Sequence, residues 1–129
     1  MSTMKKFIVI LLAVISTPVF AEWIKAGSND RDALYVDLSS REESSGLVKI
    51  WALYDFNSLQ VFEGKTYSST KNQYQIDCKQ KRMRAIFSSI HTGRMGSGTT
   101  VHYDSFPNVR WSPVPPESAN ELIYRGGCP

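Results

Sequence analysis

The chain holds two cysteines, Cys78 and Cys128, 50 residues apart. Two thiols permit one intramolecular pairing. Disulfides persist outside the cytosol and are rare within it, so the destination of the chain decides whether they pair. The first 21 residues read MSTMKKFIVILLAVISTPVFA. Lys5 and Lys6 precede an apolar run from Phe7 to Ile15, Ser16-Thr17-Pro18 breaks it, and Val19-Phe20-Ala21 has small residues at the two positions a signal peptidase reads. The run is shorter than the roughly 20 residues needed to span a bilayer. The expectation is a cleavable secretory signal over residues 1–21, with the mature chain starting at Glu22. No cysteine follows the apolar run, so N-terminal lipid attachment is not expected. Export brings Cys78 and Cys128 into oxidising surroundings, and a disulfide is the expected state. Closing that loop is worth about 4 kcal/mol by chain-entropy arithmetic. Metal binding by the two thiols would want a CxxC spacing or a nearby histidine pair, and the sequence has neither.

Removing residues 1–21 from the 129 leaves 108, one domain over 22–129 with a modest core. Lys5 and Lys6 leave with the signal, so 13 basic residues face 12 acidic ones, a net of +1. That balance does not suit a nucleic-acid binder, and any electrostatic attraction must be local.

Short β-rich segments dominate. Leu34, Val36 and Leu38 alternate with Tyr35, Asp37 and Ser39, the period of a half-buried strand. Ser44-Ser45-Gly46 marks a turn. Leu47 to Phe56 is rich in β-branched and aromatic residues on both faces, which fits a central strand covered on each side. Asn57-Ser58 is expected to interrupt it, and Glu63-Gly64-Lys65 to turn. Tyr74, Ile76 and Cys78 share one face of a further strand, and Lys79-Gln80-Lys81 forms a tight polar connection. Arg82 to Thr92 reads as the return strand. Met, Arg and Ala favour a helix there, but Ser88-Ser89 with Ile86, Ile90 and Thr92 weaken it. Gly93, Gly96 and Gly98 mark a flexible turn, Thr99–Asp104 another strand, and Asn108–Trp111 a short extended piece. Pro113, Pro115 and Pro116 keep the chain extended. Ser118-Ala119-Asn120-Glu121 then matches a capping box, opening a two-turn helix that Gly126-Gly127 ends. The fold class is α+β: an antiparallel sheet of five to six strands, one short C-terminal helix packed on it, and a single disulfide.

The candidate binding residues lie in DCKQKRMR, residues 77–84. Lys79, Lys81, Arg82 and Arg84 gather at one hairpin end, where they can attract sulfated glycans, lipid phosphates or acidic protein segments. The same charges also keep a hairpin soluble and discourage edge pairing. His91 and His102 fall on adjacent strands as solvent-facing residues, with Asp104 the one further ligand in reach. Gly93-Arg94-Met95-Gly96-Ser97-Gly98 has the wrong spacing for a phosphate loop or a nucleophile elbow. There is no HExxH and no nucleophile–base pair, and the acids are scattered. A non-enzyme without cofactor is expected. Trp51, Tyr35 and Phe87 are assigned to packing or half-burial, and exposed aromatics near the basic hairpin would mark a binding face.

Trp23, Tyr35-Val36-Asp37, the Val48–Asp55 strand and Tyr67-Ser68-Ser69 stand in an order that resembles the surface-adhesin protein E family of Gram-negative bacteria. Tyr74–Lys79, Met95–Gly98, Trp111–Val114 and Cys128 extend the resemblance over most of the mature chain. The resemblance implies an antiparallel sheet with a helix tied down by a disulfide. It also implies an adhesin of the outer membrane that binds host extracellular-matrix or serum proteins. The expected location is the periplasm or the outer-membrane surface, and a homodimer through an edge strand is compatible with the pattern. A different class, an inhibitor of a secreted hydrolase such as lysozyme, would use the Arg94–Gly98 loop as a plug.

Overall fold

The computed structural model describes residues 21–129. The expected signal, Ala21 apart, lies outside the described residues. Seven strands form one antiparallel sheet: Trp23–Ser28 (β1), Asp32–Ser44 (β2), Leu47–Phe62 (β3), Lys65–Asp77 (β4), Arg82–His91 (β5), Thr100–Ser105 (β6) and Ser112–Pro113 (β7). The first six run as a meander in chain order, and β7 pairs with the start of β5, beyond the reach of β6. Among the described residues one α-helix, α1, spans Ala119–Gly127.

Two-residue turns set the register. Ser45-Gly46 joins β2 to β3 and Glu63-Gly64 joins β3 to β4, each with both residues at positive φ. That geometry matches the twist of the flanking strands. A four-residue turn, Cys78–Lys81, joins β4 to β5, and the Asp77 carboxylate caps it by accepting the Gln80 N–H at 3.1 Å. Five irregularities interrupt the ladder: on β2 between Asp37 and Glu42, on β3 between Asp55 and Gln60, on β5 at Ile86, on β1 at Ala26 and on β6 at Val101. The second falls where Asn57-Ser58 was expected to end the strand. The strand bends there and continues to Phe62 instead.

The helix covers one face of the sheet, over β1, β2 and β3. Leu34, Val36, Val48, Ile50 and Ile76 meet Ile123 there, and Ile123 is fully buried. Burying a side chain of that size contributes about 2 kcal/mol, which a nine-residue helix needs, since it would not persist alone. The Ser118 hydroxyl accepts the Glu121 N–H at 3.2 Å, as the capping pattern predicts, while the Glu121 carboxylate pairs with Arg125 at 2.6 Å. Cys78 and Cys128 form the disulfide, and the Tyr124 hydroxyl donates to the Cys78 carbonyl at 2.9 Å beside it. Arg41 Nε adds a bond to the Gly127 carbonyl at 2.8 Å.

Four sequence expectations are corrected. The sheet has seven strands rather than five or six, because Trp23–Ser28 and Ser112–Pro113 both pair. Asn108–Trp111 is not a strand; the pairing lies just beyond, at Ser112–Pro113. Gly126-Gly127 does not end the helix but forms its last turn. The reason is space: a Cβ on Gly127 would come 2.7 Å from Ile76 Cδ1, and one on Gly126 would come 3.2 Å from Val36 Cγ1. The Gly93–Gly98 turn is fastened rather than loose, as described next. Leu38 lies beside Gly126 on the helix side but stays 47% exposed, at the margin of the core.

Candidate functional site

The helix leaves the other sheet face open, and strand register lays its side chains out in rows. One row runs Trp23, Asp37, Trp51, Gln73, Phe87, Ser105, one residue from each of β1 to β6. The next runs Lys25, Tyr35, Leu53, Lys71, Ser89, Tyr103. A third runs Ala33, Asp55, Ser69, His91, Thr100. On the far side of the first row, Gln75 stands between Lys49 and Arg84, and Asp77 between Leu47 and Arg82.

Aromatic rings line this face. Trp51 and Phe87 flank Gln73 and meet edge to face at 5.5 Å, and Phe87 stacks on Tyr103 at 6.3 Å. Tyr103 is 66% exposed. Two adjoining cavities open here, of about 310 and 390 Å³, and both are lined by Trp51 and Lys71. The first extends to Trp23 and to Ser39-Ser40 in the β2 bulge. Trp51 N–H donates to the Ser40 hydroxyl at 3.0 Å, and the Ser39 N–H and hydroxyl both donate to Asp37, which holds that bulge open. The second extends to Phe87, Tyr103 and His91.

The Gly93–Gly98 segment lies on the sheet beside the cleft, against Lys71 and Leu53. Asp55, 4% exposed, accepts two bonds from Arg94, at 3.0 Å from Nε and 2.6 Å from Nη2, and a third from the Met95 N–H at 3.0 Å. The carboxylate raises the Arg94 pKa above its already high ordinary value. Ser69 completes the clip, donating to the Gly93 carbonyl at 2.6 Å and accepting the Gly96 N–H at 2.8 Å. Met95 is held at φ 55 and Gly96 at φ 74, and Gly96 lies against the stem of Lys71 and over Leu53.

His91 was expected to face solvent and is instead 5% exposed, on the open-face side of β5 within the cleft wall. Its Nε2 lies 2.8 Å from the Ser89 hydroxyl and its Nδ1 3.4 Å from Thr100 Oγ1. Burial, and after it the charge of Lys71, lowers its pKa below the ordinary imidazole value. His102 is cross-strand from Ile90, so the two histidines do not converge; it pairs with Asp104 at 2.6 Å and lies against Phe62. Among the described residues no cluster of His, Cys, Asp and Glu is arranged to hold a metal ion. None of the helices described is long and apolar enough to cross a membrane.

The structure divides the basic hairpin. Arg82 pairs with Asp77 at 3.1 Å, and Arg84 makes two bonds to Gln75 Oε1, at 2.9 and 2.7 Å, with a third to the Val109 carbonyl. Both guanidinium groups lie over the Trp111 ring, at 4.8 and 4.3 Å. The Gln80 N–H, and with it Arg82, holds the Asp77 carboxyl below the usual carboxylate range. Lys81 reaches over the Tyr124 ring at 5.7 Å. Lys79 is exposed. Arg82, Arg84 and Trp111 thus continue the open face at one end. Sequence reasoning found these charges but missed the aromatic rows and Lys71, which the apolar residues on both faces of β3 signalled.

The sequence profile described as surface-adhesin protein E matches residues 23–129. No curated protein sequence matches the chain. Among solved structures, that of Haemophilus influenzae protein E superposes with a TM-score of 0.61 at 13% identity, covering 83% of each chain. A second crystal form of that protein gives 0.62 at 12% identity, covering 83% of this chain and 87% of the other. Protein E from non-typeable Haemophilus influenzae gives 0.58 at 14%, covering 84% and 76%. At these identities the likeness establishes the fold.

Proposed function

Because the chain belongs to the surface-adhesin protein E family, we propose that it is an exported, non-enzymatic adhesin that binds host extracellular-matrix or serum proteins. In this reading residues 1–21 are removed on export and residues 22–129 act as one domain in the periplasm or at the outer-membrane surface. The observation that carries the reading is the open sheet face. Exposed and half-buried rings alternate there with Lys49, Lys71, Arg82 and Arg84, while the opposite face is occupied by the helix. Aromatic and arginine side chains are the residues that dominate protein interfaces. Lys79 and Lys81 at the hairpin end supply long-range attraction toward acidic partners, which salt should weaken. The alternative as a hydrolase inhibitor has less support, because the Arg94–Gly98 segment lies back on the sheet under the Asp55 and Ser69 clip.

The test is binding of purified residues 22–129 to immobilised vitronectin and laminin at low and physiological salt. Saturable binding that falls with salt is expected. No binding to either protein at low salt would remove the proposal, and inhibition of lysozyme by the same preparation would favour the alternative.

A further inference from the structure

We propose that the cleft centred on Lys71 is a binding site for an acidic saccharide, one bearing carboxylate or sulfate groups on its sugar rings. The inference rests on the open face being the adhesive surface, and names the ligand class of its central part. Lys71 lines both cavities, and its stem is fixed in place by Gly96, where a Cβ would lie 3.0 Å from Lys71 Cδ. Its cross-strand neighbours, Leu53 and Ser89, carry no charge. None of the ion pairs among the described residues includes Lys71. Of the carboxylates of the face, Asp55 and Asp77 are paired with Arg94 and Arg82, while Asp37, which lines the first cavity, is hydrogen-bonded by Ser39 and makes no ion pair with Lys71. A held ammonium in a half-enclosed cleft, with no carboxylate at ion-pair distance, is complementary to an anion. Burial first, and after it the charge of Lys71, depresses the His91 pKa, so His91 adds no second cation to the wall of the cleft near neutral pH.

The rings define what carries the anion. Trp51 and Trp23 line the cavity on one side of Lys71, and Phe87 with the exposed Tyr103 lines the other. Flat apolar rings flanking a charge suit the C–H faces of sugar rings. Hydroxyls of Ser39, Ser40 and Thr100 stand at the margins, where a saccharide presents its own donors and acceptors. An extended peptide fits less well. The cleft runs across the strands and meets the edge strands β1 and β6 only at its two ends, so along its length it offers a peptide backbone no ladder to join.

The experiment titrates a size-defined sulfated heparin hexasaccharide into residues 22–129, read by calorimetry and by tryptophan fluorescence. Lys71→Met keeps the stem against Gly96 and removes the charge; Tyr103→Ser removes a largely exposed ring whose aromatic partner is Phe87. The expected result is an affinity loss of about tenfold or more for Lys71→Met. Tyr103→Ser should lose about three- to tenfold, measured below its own melting midpoint so that loss of the Phe87 stack does not enter the reading. Lys79→Ala/Lys81→Ala should change affinity less than either. The proposal is overturned if the wild type does not bind the hexasaccharide or if both cleft variants bind it as the wild type does. It is also overturned if the hairpin variant loses as much as Lys71→Met, or if a polyglutamate peptide competes as well as the saccharide. Binding to matrix proteins by a chain that ignores the hexasaccharide overturns this inference alone. Saccharide binding lost in the cleft variants, from a chain that ignores matrix proteins, supports this site and overturns only the broader reading.

Discussion

The clip between Asp55 and Arg94 allows a sharp energetic test. Arg94→Ala removes two charge-assisted hydrogen bonds from a carboxylate that is 4% exposed. The Arg94 side chain is itself 61% exposed, so solvent screens much of the attraction. The cost therefore falls on the buried Asp55 carboxylate, which is left with the Met95 N–H as its one partner. Asp55→Ala removes those bonds and the one to the Met95 N–H, about 3 kcal/mol in all. Releasing the clip also lets Met95 leave its left-handed conformation, which returns about 1 kcal/mol. Asp55→Ala should therefore lie about 2 kcal/mol below the wild type, and Arg94→Ala and the double variant should lie level with it, because all three lose the same unit. Urea unfolding of the four proteins at pH 7, with the slope checked for constancy, measures this. Costs that add in the double variant to within about 0.5 kcal/mol would refute the clip as a single cooperative device.

Other outcomes follow from the packing and the charges. Cys78→Ser/Cys128→Ser should lose about 4 kcal/mol, and equal thermal melts with and without reductant would contradict this. Gly127→Ala gains about 1 kcal/mol of helix propensity but must displace the buried Ile76 side chain at 2.7 Å, an overpacking of about 2 kcal/mol. It should therefore destabilise, and by more than Gly126→Ala, whose nearest neighbour is 3.2 Å away; a rise in melting midpoint for Gly127→Ala would show that the helix can shift. His91 has its folded-state pKa lowered, so the unfolded chain binds more protons in the window just below the ordinary imidazole value. Its contribution is full above about pH 6.5 and is lost as pH falls toward the folded pKa. His91→Gln should flatten that part of the stability–pH curve, and an unchanged slope would rule out burial of a neutral imidazole.

Much of the sheet was legible because its helix-facing residues alternate cleanly. Leu34 with Val36, and Tyr74 with Ile76, announce strands, and Ser45-Gly46 and Glu63-Gly64 announce the turns between them. The polar first part of β4, Lys65 to Gln73, was silent, since its open-face positions Ser69, Lys71 and Gln73 carry no apolar period. β1 was hidden in six residues beside the expected signal. The last turn of the helix was misread because glycine has two uses. Gly126 and Gly127 serve close approach to Val36 and Ile76, not a left-handed stop. The binding face was hidden for a geometric reason. Strict alternation puts Arg84 and Phe87 on opposite faces of β5. The bulge at Ile86 brings them to the same one, so the basic hairpin and the aromatic row, seen separately in the sequence, join only in the fold.

That extra residue works like a frameshift in a printed line. Upstream of it the even-numbered side chains of β5 look outward to the cleft side; downstream the odd-numbered ones do. Removing Ile86 would leave every residue type in place, yet turn one half of the strand over, sending either the arginines or the phenylalanine, serine and histidine toward the helix. What this surface can hold is thus written less in any one side chain than in the phase of the strand that carries it.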